Sequence, residues 1–372
     1  MRELFNYAFP FLVLGLMMIG IYYLSRRLAW AYSFPLGWTM AVVTTFSLFC
    51  LVGIMMIMRG NYTSPLSHLI STVANIGAGV MMFLVFTMLV VDLVHLFAHF
   101  QPRTFGWVTL GVTSAVTLFS LWNAQHHTIY RLQIPLPNLV QPLRIAQLTD
   151  IHLGHYWTES TLDRIVDKVV AEQPDAVVIT GDMFDGRVRL YPEVLRPLVK
   201  LTMPIYFVEG NHDGYSGARE IKQMLTDAGV TVLSNQKTEL NGLQIVGLDY
   251  LLPDRQSVDQ FHGAHSRTSM ADELPKMRLD PNRASLLLHH NPVGIRYAAE
   301  NGINLYLAGH THAGQLFPAT LFAKLMFEYN KGLYHYNDAT QIYVSQGTGT
   351  FGPPMRLCTD SEITILDLVR SH

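Results

Sequence analysis

The chain has 372 residues, of which 49% are hydrophobic and 15% are charged, and its formal net charge is −2. A charge so near zero produces no strong field that would recruit nucleic acid, so we expect no nucleic-acid partner. One of the two cysteines, Cys50, lies in an apolar run and the other, Cys358, in a polar region, which argues against a disulfide framework.

The first third of the chain differs sharply in composition from the remainder. Residues 1–130 contain no lysine and only seven charged side chains, whereas acids and bases are frequent from residue 131 onward. A membrane span needs ~20 mostly apolar residues in a helix. Four runs meet this requirement, at residues 5–24, 36–58, 69–96 and 105–122. We therefore predict a multi-pass membrane anchor over residues 1–127, with the lipid bilayer as a partner. Arginines are balanced between the two sides of the predicted spans, so they leave the orientation open.

Three ionisable residues, Asp92, His95 and His99, lie near the end of the third run. Their spacing of three and four residues places them on one face of a helix. Ionisable groups at membrane depth are costly and often functional. Alternatively, these side chains lie at the membrane interface. Both interpretations stay open at this point.

After the membrane block, residues 128–143 contain three prolines and predict an extended linker to a domain over residues 144–372. In this domain, short runs rich in Val and Ile alternate with helical stretches, which indicates a layered α/β domain with helices covering a buried sheet. The predicted strands are 144–149, 176–180, 205–208, 243–248, 284–288, 304–307, 342–345 and 363–368, and the predicted helices are 159–171, 218–228 and 292–300.

Asp, Asn and His residues follow five of these strands. They occur as Asp150-Ile151-His152, Gly181-Asp182, Gly210-Asn211-His212-Asp213, His289-His290 and Gly309-His310-Thr311-His312. Ligands of α/β folds bind beyond the carboxyl ends of the strands. One such cluster alone is often a turn or a cap, but five at one edge predict a metal site. The nitrogen and oxygen donors suit Mn, Fe, Zn or Co without choosing among them, and the lack of cysteine argues against structural zinc.

The order Asp-x-His, Gly-Asp-x-x-Asp, Gly-Asn-His-Asp, His and Gly-His-x-His resembles the calcineurin-like metallophosphoesterase superfamily. The anchor, the Gly-Gln at residues 314–315 and the Gly-Thr-Gly at residues 347–349 with a nearby Arg resemble a membrane-anchored bacterial branch. The resemblance implies a layered β-sandwich flanked by helices and a location in the bacterial inner membrane.

The resemblance also implies two divalent metal ions. The first would be held by Asp150, His152, Asp182 and His312, and the second by Asp182, Asn211, His290 and His310. The shared carboxylate also follows from physics, because two cations ~3.5–4 Å apart repel each other. His289 is an alternative to His290, which we favour because His290-Asn291-Pro292 matches the usual His-x-Pro of the family.

By the same resemblance, His212 protonates the leaving oxygen or stabilises the transition state, and Asp213 orients His212. Asp185 would support its loop rather than bind metal. Two departures put substrate contacts in doubt. Ala313 stands where relatives usually carry Gly, and residues 355–360 replace the usual Arg-x-Gly.

We therefore expect dinuclear metal-dependent hydrolysis of a phosphodiester or pyrophosphate, lipid-linked or soluble, at a membrane surface. No obligate protein partner is implied. The alternative is a transporter or sensor with a regulatory metal-binding domain, but the complete ligand set favours catalysis. Two segments are candidates for substrate contacts: residues 249–280, with Arg255, His262, His265, Arg267 and Lys276, and the aromatic-rich residues 318–336, which would be either core or an apolar rim that meets lipid.

Overall fold

The structure is a computed structural model that describes residues 2–59, 64–154, 156–186, 191–215, 217–257 and 268–371, without the side chains of residues 2–13 and 56–59. The chain forms two compact units. The first comprises Met1–Met58 and Pro65–Leu121, and the second comprises Arg59–Ser64 and Trp122–His372.

Long apolar helices make up the first unit. They are α1 (Arg2–Tyr32), α2 (Leu36–Arg59), α3 (Pro65–Ala98) and α4 (Pro102–Gln125), and each contains one of the predicted runs. Among the described residues, three stretches are long and apolar enough to cross a membrane: Leu36–Met55, Pro65–Ala98 and Pro102–Gln125. This confirms the predicted membrane location. A span in α1 stays a prediction.

The carboxylate of Asp92 in α3 forms an ion pair with Arg27 of α1. Arg27 Nε donates to Asp92 Oδ2 at 2.8 Å, and the Tyr23 hydroxyl donates to the same oxygen. His95 packs edge-on against Trp30, with ring centroids 5.5 Å apart. Because a charge at membrane depth is costly unless it is paired, this contact gives Asp92 a structural role in joining the two helices.

The second unit contains two six-stranded mixed sheets. The strands are β1 (His127–Leu136), β2 (Leu143–Leu148), β3 (Ala176–Thr180), β4 (Ile205–Val208), β5 (Thr231–Val232), β6 (Gln236–Leu240), β7 (Leu243–Gly247), β8 (Ser285–Leu288), β9 (Leu305–Ala308), β10 (Gly332–His335), β11 (Gln341–Val344) and β12 (Ser361–Arg370). One sheet has the order β1-β12-β2-β3-β4-β5 and the other β10-β11-β9-β8-β7-β6. The predicted β-sandwich is therefore confirmed.

Helices pack against both sheets. The α-helices of this unit are α5 (Glu159–Ala171), α6 (Asn211–Tyr215), α7 (Ala218–Asp227), α8 (Met270–Glu273), α9 (Ile295–Glu300) and α10 (Ala319–Met326), with 3₁₀ helices at Pro192–Lys200, Leu274–Met277 and His312–Gly314. Those that share a core with a sheet are α5, α7 and Pro192–Lys200 on one sheet and α8, α9 and Leu274–Met277 on the other. The alternation of side chains along a strand explains the layering. Val177 and Ile179 of β3 pack in one core with Ile165 of α5, whereas Ala176 and Val178 face the other sheet.

The predicted linker, residues 128–143, is a point of correction. Most of it forms β1, which pairs in parallel with β12 over ten residues, from His127 opposite Ser361 to Leu136 opposite Arg370. Pro135 is tolerated because β1 is an edge strand, where a missing N–H breaks no central ladder. Ile134 and Leu136 are fully buried, so this segment belongs to the sheet rather than to a linker.

Candidate metal centre

The predicted ligands meet at the carboxyl ends of parallel strands from both sheets. β2, β3 and β4 are parallel neighbours in one sheet, and β8 and β9 are parallel neighbours in the other. The segments that follow these strands carry Asp150, His152, Asp182, Asn211, His290, His310 and His312. All of these except His310 are buried.

Asp150, His152 and His312 form one compact group. His312 Nε2 lies 3.3 Å from Asp150 Oδ1, and the Nε2 atoms of His152 and His312 lie 3.1 Å apart. Two imidazole nitrogens and a carboxylate oxygen thus converge on one point. This is the first of the two ligand sets that the sequence predicted, apart from the shared aspartate.

A second group contains Asp182, His290 and His310. His290 Nε2 lies 3.1 Å from Asp182 Oδ2, and His310 Nδ1 lies 3.2 Å from His290 Nε2. Asp182 Oδ2 is also 3.8 Å from His152 Nε2 in the first group. Asp182 therefore lies between the two groups, where a shared carboxylate was predicted.

Five of the predicted ligands have a left-handed backbone, with φ between 47° and 71°. They are Asp150, His152, Asp182, His310 and His312. Such a conformation costs a non-glycine residue about 1–3 kcal/mol and is often found at functional sites. Backbone hydrogen bonds hold the strained residues in place, since Asp150 N donates to Gly181 O at 3.0 Å and His152 N to Asp182 O at 3.1 Å.

Close backbone approach explains two glycines of the motifs. A Cβ on Gly210 would overlap Asp182 Oδ1, and a Cβ on Gly309 would overlap Asp150 Oδ2. Without side chains, both segments come close enough for backbone hydrogen bonds to the ligand carboxylates. His310 N, for example, donates to Asp150 Oδ2 at 3.0 Å. These bonds fix the orientation of the carboxylates.

Electrostatics at the site favour a bound cation. Burial disfavours the protonated imidazole of His290, yet the neighbouring carboxylates of Asp182 and Asp150 raise its pKa to about 9. Burial and the adjacent His290 lower the pKa of His310 to about 3, so His310 is a neutral donor. Burial raises the pKa of Asp185 to about 6. The nearby His212 acts to lower this pKa and the carboxylate of Asp182 acts to raise it, but burial dominates. The carboxylates thus create a negative potential that a positive charge must offset.

The donor atoms fit a pair of divalent metal ions. The Asn211 side-chain oxygen is buried and has no hydrogen-bond partner, which is costly unless a ligand satisfies it. The Nε2 atoms of His152 and His312 also converge, 3.1 Å apart, as two ligands of one metal ion do. Mixed imidazole, carboxylate and amide donors are those that transition metals accept. The residues present therefore fit the predicted metal pair.

His289 and His290 point to opposite sides. His290 lies in the second group, and its Nδ1 is 2.8 Å from Thr180 O, which leaves Nε2 facing Asp182. His289 Nδ1 is 2.8 Å from Asn291 O, and His289 Nε2 accepts the N–H of Leu251 at 3.2 Å. The structure thus places His290, and not His289, among the predicted ligands.

Asp213 was predicted to orient His212, but its side chain makes other contacts. Its carboxylate oxygens accept the backbone N–H groups of Phe184, at 3.1 Å, and Gly210, at 2.9 Å. Asp213 therefore holds two ligand-bearing loops together. The carboxylate beside His212 is that of Asp185, whose Oδ1 lies 3.8 Å from His212 Nδ1. The sequence could not show this, because the direction of the Asp213 side chain depends on the short helix α6.

Arg356 is fully buried behind the first ligand group. Its guanidinium donates to the carbonyls of Gln346, Gly347 and Gly349 at 2.7–3.0 Å, and one nitrogen lies 3.4 Å from His312 Nδ1. Burial lowers its pKa to about 10. Arg356 thus orders the Gly-Thr-Gly loop and supports His312. The sequence did not indicate this role, because Arg356 and His312 are 44 residues apart.

Aromatic side chains that the sequence analysis did not identify border the site. The ring of Phe351 lies 5.1 Å from that of His212 and 6.0 Å from that of His152. Tyr250 lies 6.0 Å from His310. In the first predicted substrate segment, residues 249–280, positions 258–267 with His262, His265 and Arg267 lie outside the described residues, while Arg255 and Lys276 form ion pairs with Asp272 and Glu273.

Comparison with known proteins agrees with this geometry. The family model of the calcineurin-like phosphoesterases matches residues 143–314. An uncharacterized metallophosphoesterase of Helicobacter pylori is 36% identical over 241 residues, which cover 63% of this chain and 62% of that protein. A transmembrane protein with metallophosphoesterase domain of Danio rerio is 35% identical over 274 residues, covering 69% of this chain and 61% of that protein.

The chain therefore spans about three-fifths of the length of these two relatives. A third relative, an uncharacterized metallophosphoesterase of Aquifex aeolicus, is 30% identical over 266 residues, covering 70% of this chain and 97% of that protein. The motifs, the two-sheet fold, the converging ligand groups and these matches agree, and the chain belongs to the calcineurin-like phosphoesterase family.

Proposed function

We propose that the chain is a metal-dependent phosphoric ester hydrolase that cleaves a phosphodiester or a substituted pyrophosphate. The observation that carries this proposal is that Asp182, a member of the second ligand group, lies 3.8 Å from His152 of the first, so that one carboxylate could serve both metals. One metal would be held by Asp150, His152, Asp182 and His312, and the other by Asp182, Asn211, His290 and His310. Such a pair lowers the pKa of water to supply a nucleophile and offsets phosphoryl charge.

His212 is the residue that we propose to hold the proton for the leaving oxygen. Its backbone N–H donates to Asp182 Oδ1 at 2.8 Å, which fixes it beside the ligands. Its ring packs edge-on against His152 with centroids 4.8 Å apart. A partly exposed imidazole at this position can reach a substrate oxygen, and a positioned acid typically contributes 10²–10⁴-fold to the rate.

The surroundings favour a diester over a monoester. Among the described residues, Arg356 lies behind the first group, and it directs its hydrogens to backbone carbonyls rather than toward a substrate. A monoester dianion needs such donors more than a singly charged diester does. The aromatic rings of Phe351 and Tyr250 at the rim also suit a substrate with an apolar or planar substituent.

A metal-reconstitution assay tests the proposal. The full chain, purified in detergent and treated with chelator, is assayed with Mn, Fe, Zn or Co on bis-p-nitrophenyl phosphate and on the monoester. We expect metal to restore hydrolysis, with the diester preferred. Hydrolysis that survives complete chelation, or none with any metal, would overturn the proposal. Solute flux in proteoliposomes that persists in His212→Ala would favour the transporter alternative.

A further inference from the structure

The helix α10 has its large apolar side chains on the outside. Leu321, Phe322, Leu325 and Met326 are between 51% and 85% exposed, whereas the smaller Thr320 and Ala323 are buried. Helices of water-soluble domains show the reverse arrangement. The four exposed residues lie on one side of α10, and we call them the apolar face of α10. Clustered exposed apolar residues usually mark a contact surface.

This helix is part of the same local structure as the metal ligands. The hydroxyl of Thr311, between His310 and His312, donates to Asn330 O at 2.6 Å, which ties the ligand loop to the segment after α10. Phe327, the first residue after α10, packs edge-on against His310 with ring centroids 5.9 Å apart. A surface that binds the apolar face of α10 would thus lie next to the metal centre.

We propose that the apolar face of α10 inserts into the interfacial region of the bilayer, so that the metal centre acts on the phosphoester of a lipid held in that leaflet. The inference rests on the proposed hydrolase function and names its substrate class. The described residues include three stretches long and apolar enough to span a membrane, which would keep the chain at a bilayer. Interfacial helices combine an apolar face with flanking basic residues, and Lys324 and Lys331 are exposed here, beside one acid, Glu328.

A bilayer explains the apolar face of α10 better than a second protein chain does. A standard protein interface buries ~800 Å² on each partner, and four side chains on a two-turn helix offer well below that area. Interfacial insertion needs no such area, because each side chain gains from leaving water independently.

Fluorescence in proteoliposomes tests the docking step directly. The full chain with Cys50→Ala and Cys358→Ser carries a polarity-sensitive nitrobenzoxadiazole label at Leu325→Cys, in vesicles of phosphatidylethanolamine and phosphatidylglycerol. A label at Val199→Cys is the control, since Val199 is 83% exposed in the 3₁₀ helix Pro192–Lys200. We expect a blue-shifted emission at position 325, quenched by doxyl-labelled lipid, and neither effect at position 199.

Three results would overturn the docking step. They are equal emission at the two positions, equal quenching at both, and a blue shift at position 325 without quenching by doxyl lipid. The last result would mean that a second protein covers the helix.

A paired assay tests the substrate class. Bis-p-nitrophenyl phosphate is soluble, whereas p-nitrophenyl hexadecyl phosphate is held in the vesicle and releases the same nitrophenolate. We expect Leu325→Asp to spare hydrolysis of the soluble diester and to lower that of the lipid-held diester at least about fivefold, while Val199→Asp changes neither. Equal loss on both diesters would contradict the inference. Absence of all chelator-sensitive hydrolysis would instead contradict the proposed function, and the fluorescence result would still decide the docking step.

Discussion

At the scale of single residues, Asp182 links the proposed metal ligands to His212, the proposed acid. Asp182 contacts both ligand groups through its side chain and also accepts the backbone N–H of His212 at 2.8 Å. The proposed acid is therefore positioned by the residue that would bridge the metals. His212 itself lies outside the predicted ligand sets, so metal binding and proton donation can be separated by mutation.

For His212→Ala we expect retained metal and reduced turnover. The loss should be about 10²–10⁴-fold on diphenyl phosphate, whose leaving group needs a proton. It should be smaller on bis-p-nitrophenyl phosphate, because nitrophenolate leaves without protonation. Rates and metal content are measured on the full chain in detergent. An equal loss on both diesters would contradict the acid role, and loss of metal would assign His212 to the ligands.

For Arg356→Lys we expect a loss of about 2–4 kcal/mol in the free energy of unfolding. The guanidinium fork satisfies three carbonyls at once, and an ammonium group cannot reproduce that geometry in a buried site. Arg370→Lys is the control, because Arg370 donates to Leu139 O at 2.8 Å near the surface and its replacement should cost below about 1 kcal/mol. Similar small losses in both variants would refute this role.

At the scale of secondary structure, β1 carries a buried histidine at its first position. His127 is buried beside Lys168 and Arg164, and burial, reinforced by these cations, lowers its pKa to about 3. In the unfolded chain its pKa is near 6.5. Between pH 6.5 and about 3, His127 is therefore protonated in the unfolded chain but neutral in the folded one. Its contribution leaves the free energy of unfolding unchanged above pH 6.5 and lowers it as the pH decreases toward about 3.

His127→Gln tests this linkage. The variant lacks the titrating group, so its free energy of unfolding should fall less between pH 7 and pH 5 than that of the wild-type chain. Chemical unfolding of the detergent-solubilised chain at both pH values gives the comparison, and the difference between the two proteins cancels effects of other titrating groups. The same decrease in both would contradict the assignment.

Some elements were predictable because their signal is local. The strands Ala176–Thr180 and Ile205–Val208 and the helix Glu159–Ala171 match the predictions residue by residue, since each is a continuous apolar or periodic run. β1 was missed because Pro135, with Pro137 and Pro142 after the strand, suggested a linker, although Ile134 and Leu136 alternate as strand residues do. The exposure of the apolar side chains of α10 could not be predicted, because only tertiary packing decides which side of an apolar helix faces out.

The same distinction applies to the metal centre. Its predicted ligands could be found because each lies within a few residues of a strand end, as His290 does after β8. Other features could not be predicted from the sequence, because they depend on contacts between segments that are distant along the chain. They are the direction of Asp213, the burial of Arg356 and the position of Phe351. Sequence motifs therefore locate the chemistry, and packing determines how the side chains support it.

At the scale of the whole molecule, one chain combines a metallophosphoesterase domain with an N-terminal helical block, whose described residues include three candidate membrane spans. Each unit has its own buried core, and Ala124 at the end of α4 belongs to the core of the second unit. This combination makes the metal centre the feature on which every functional proposal depends.

Metal content, measured by elemental analysis of the 372-residue chain together with its activity, tests the dinuclear centre most directly. We predict close to two transition-metal ions in the active wild-type chain and in His289→Gln, because both ring nitrogens of His289 have partners within the protein. His290→Gln should lose metal, and Asp182→Asn should lose both ions, since Asp182 is proposed to bridge them. One ion or none in active wild-type protein, or two ions in Asp182→Asn, would contradict the dinuclear centre.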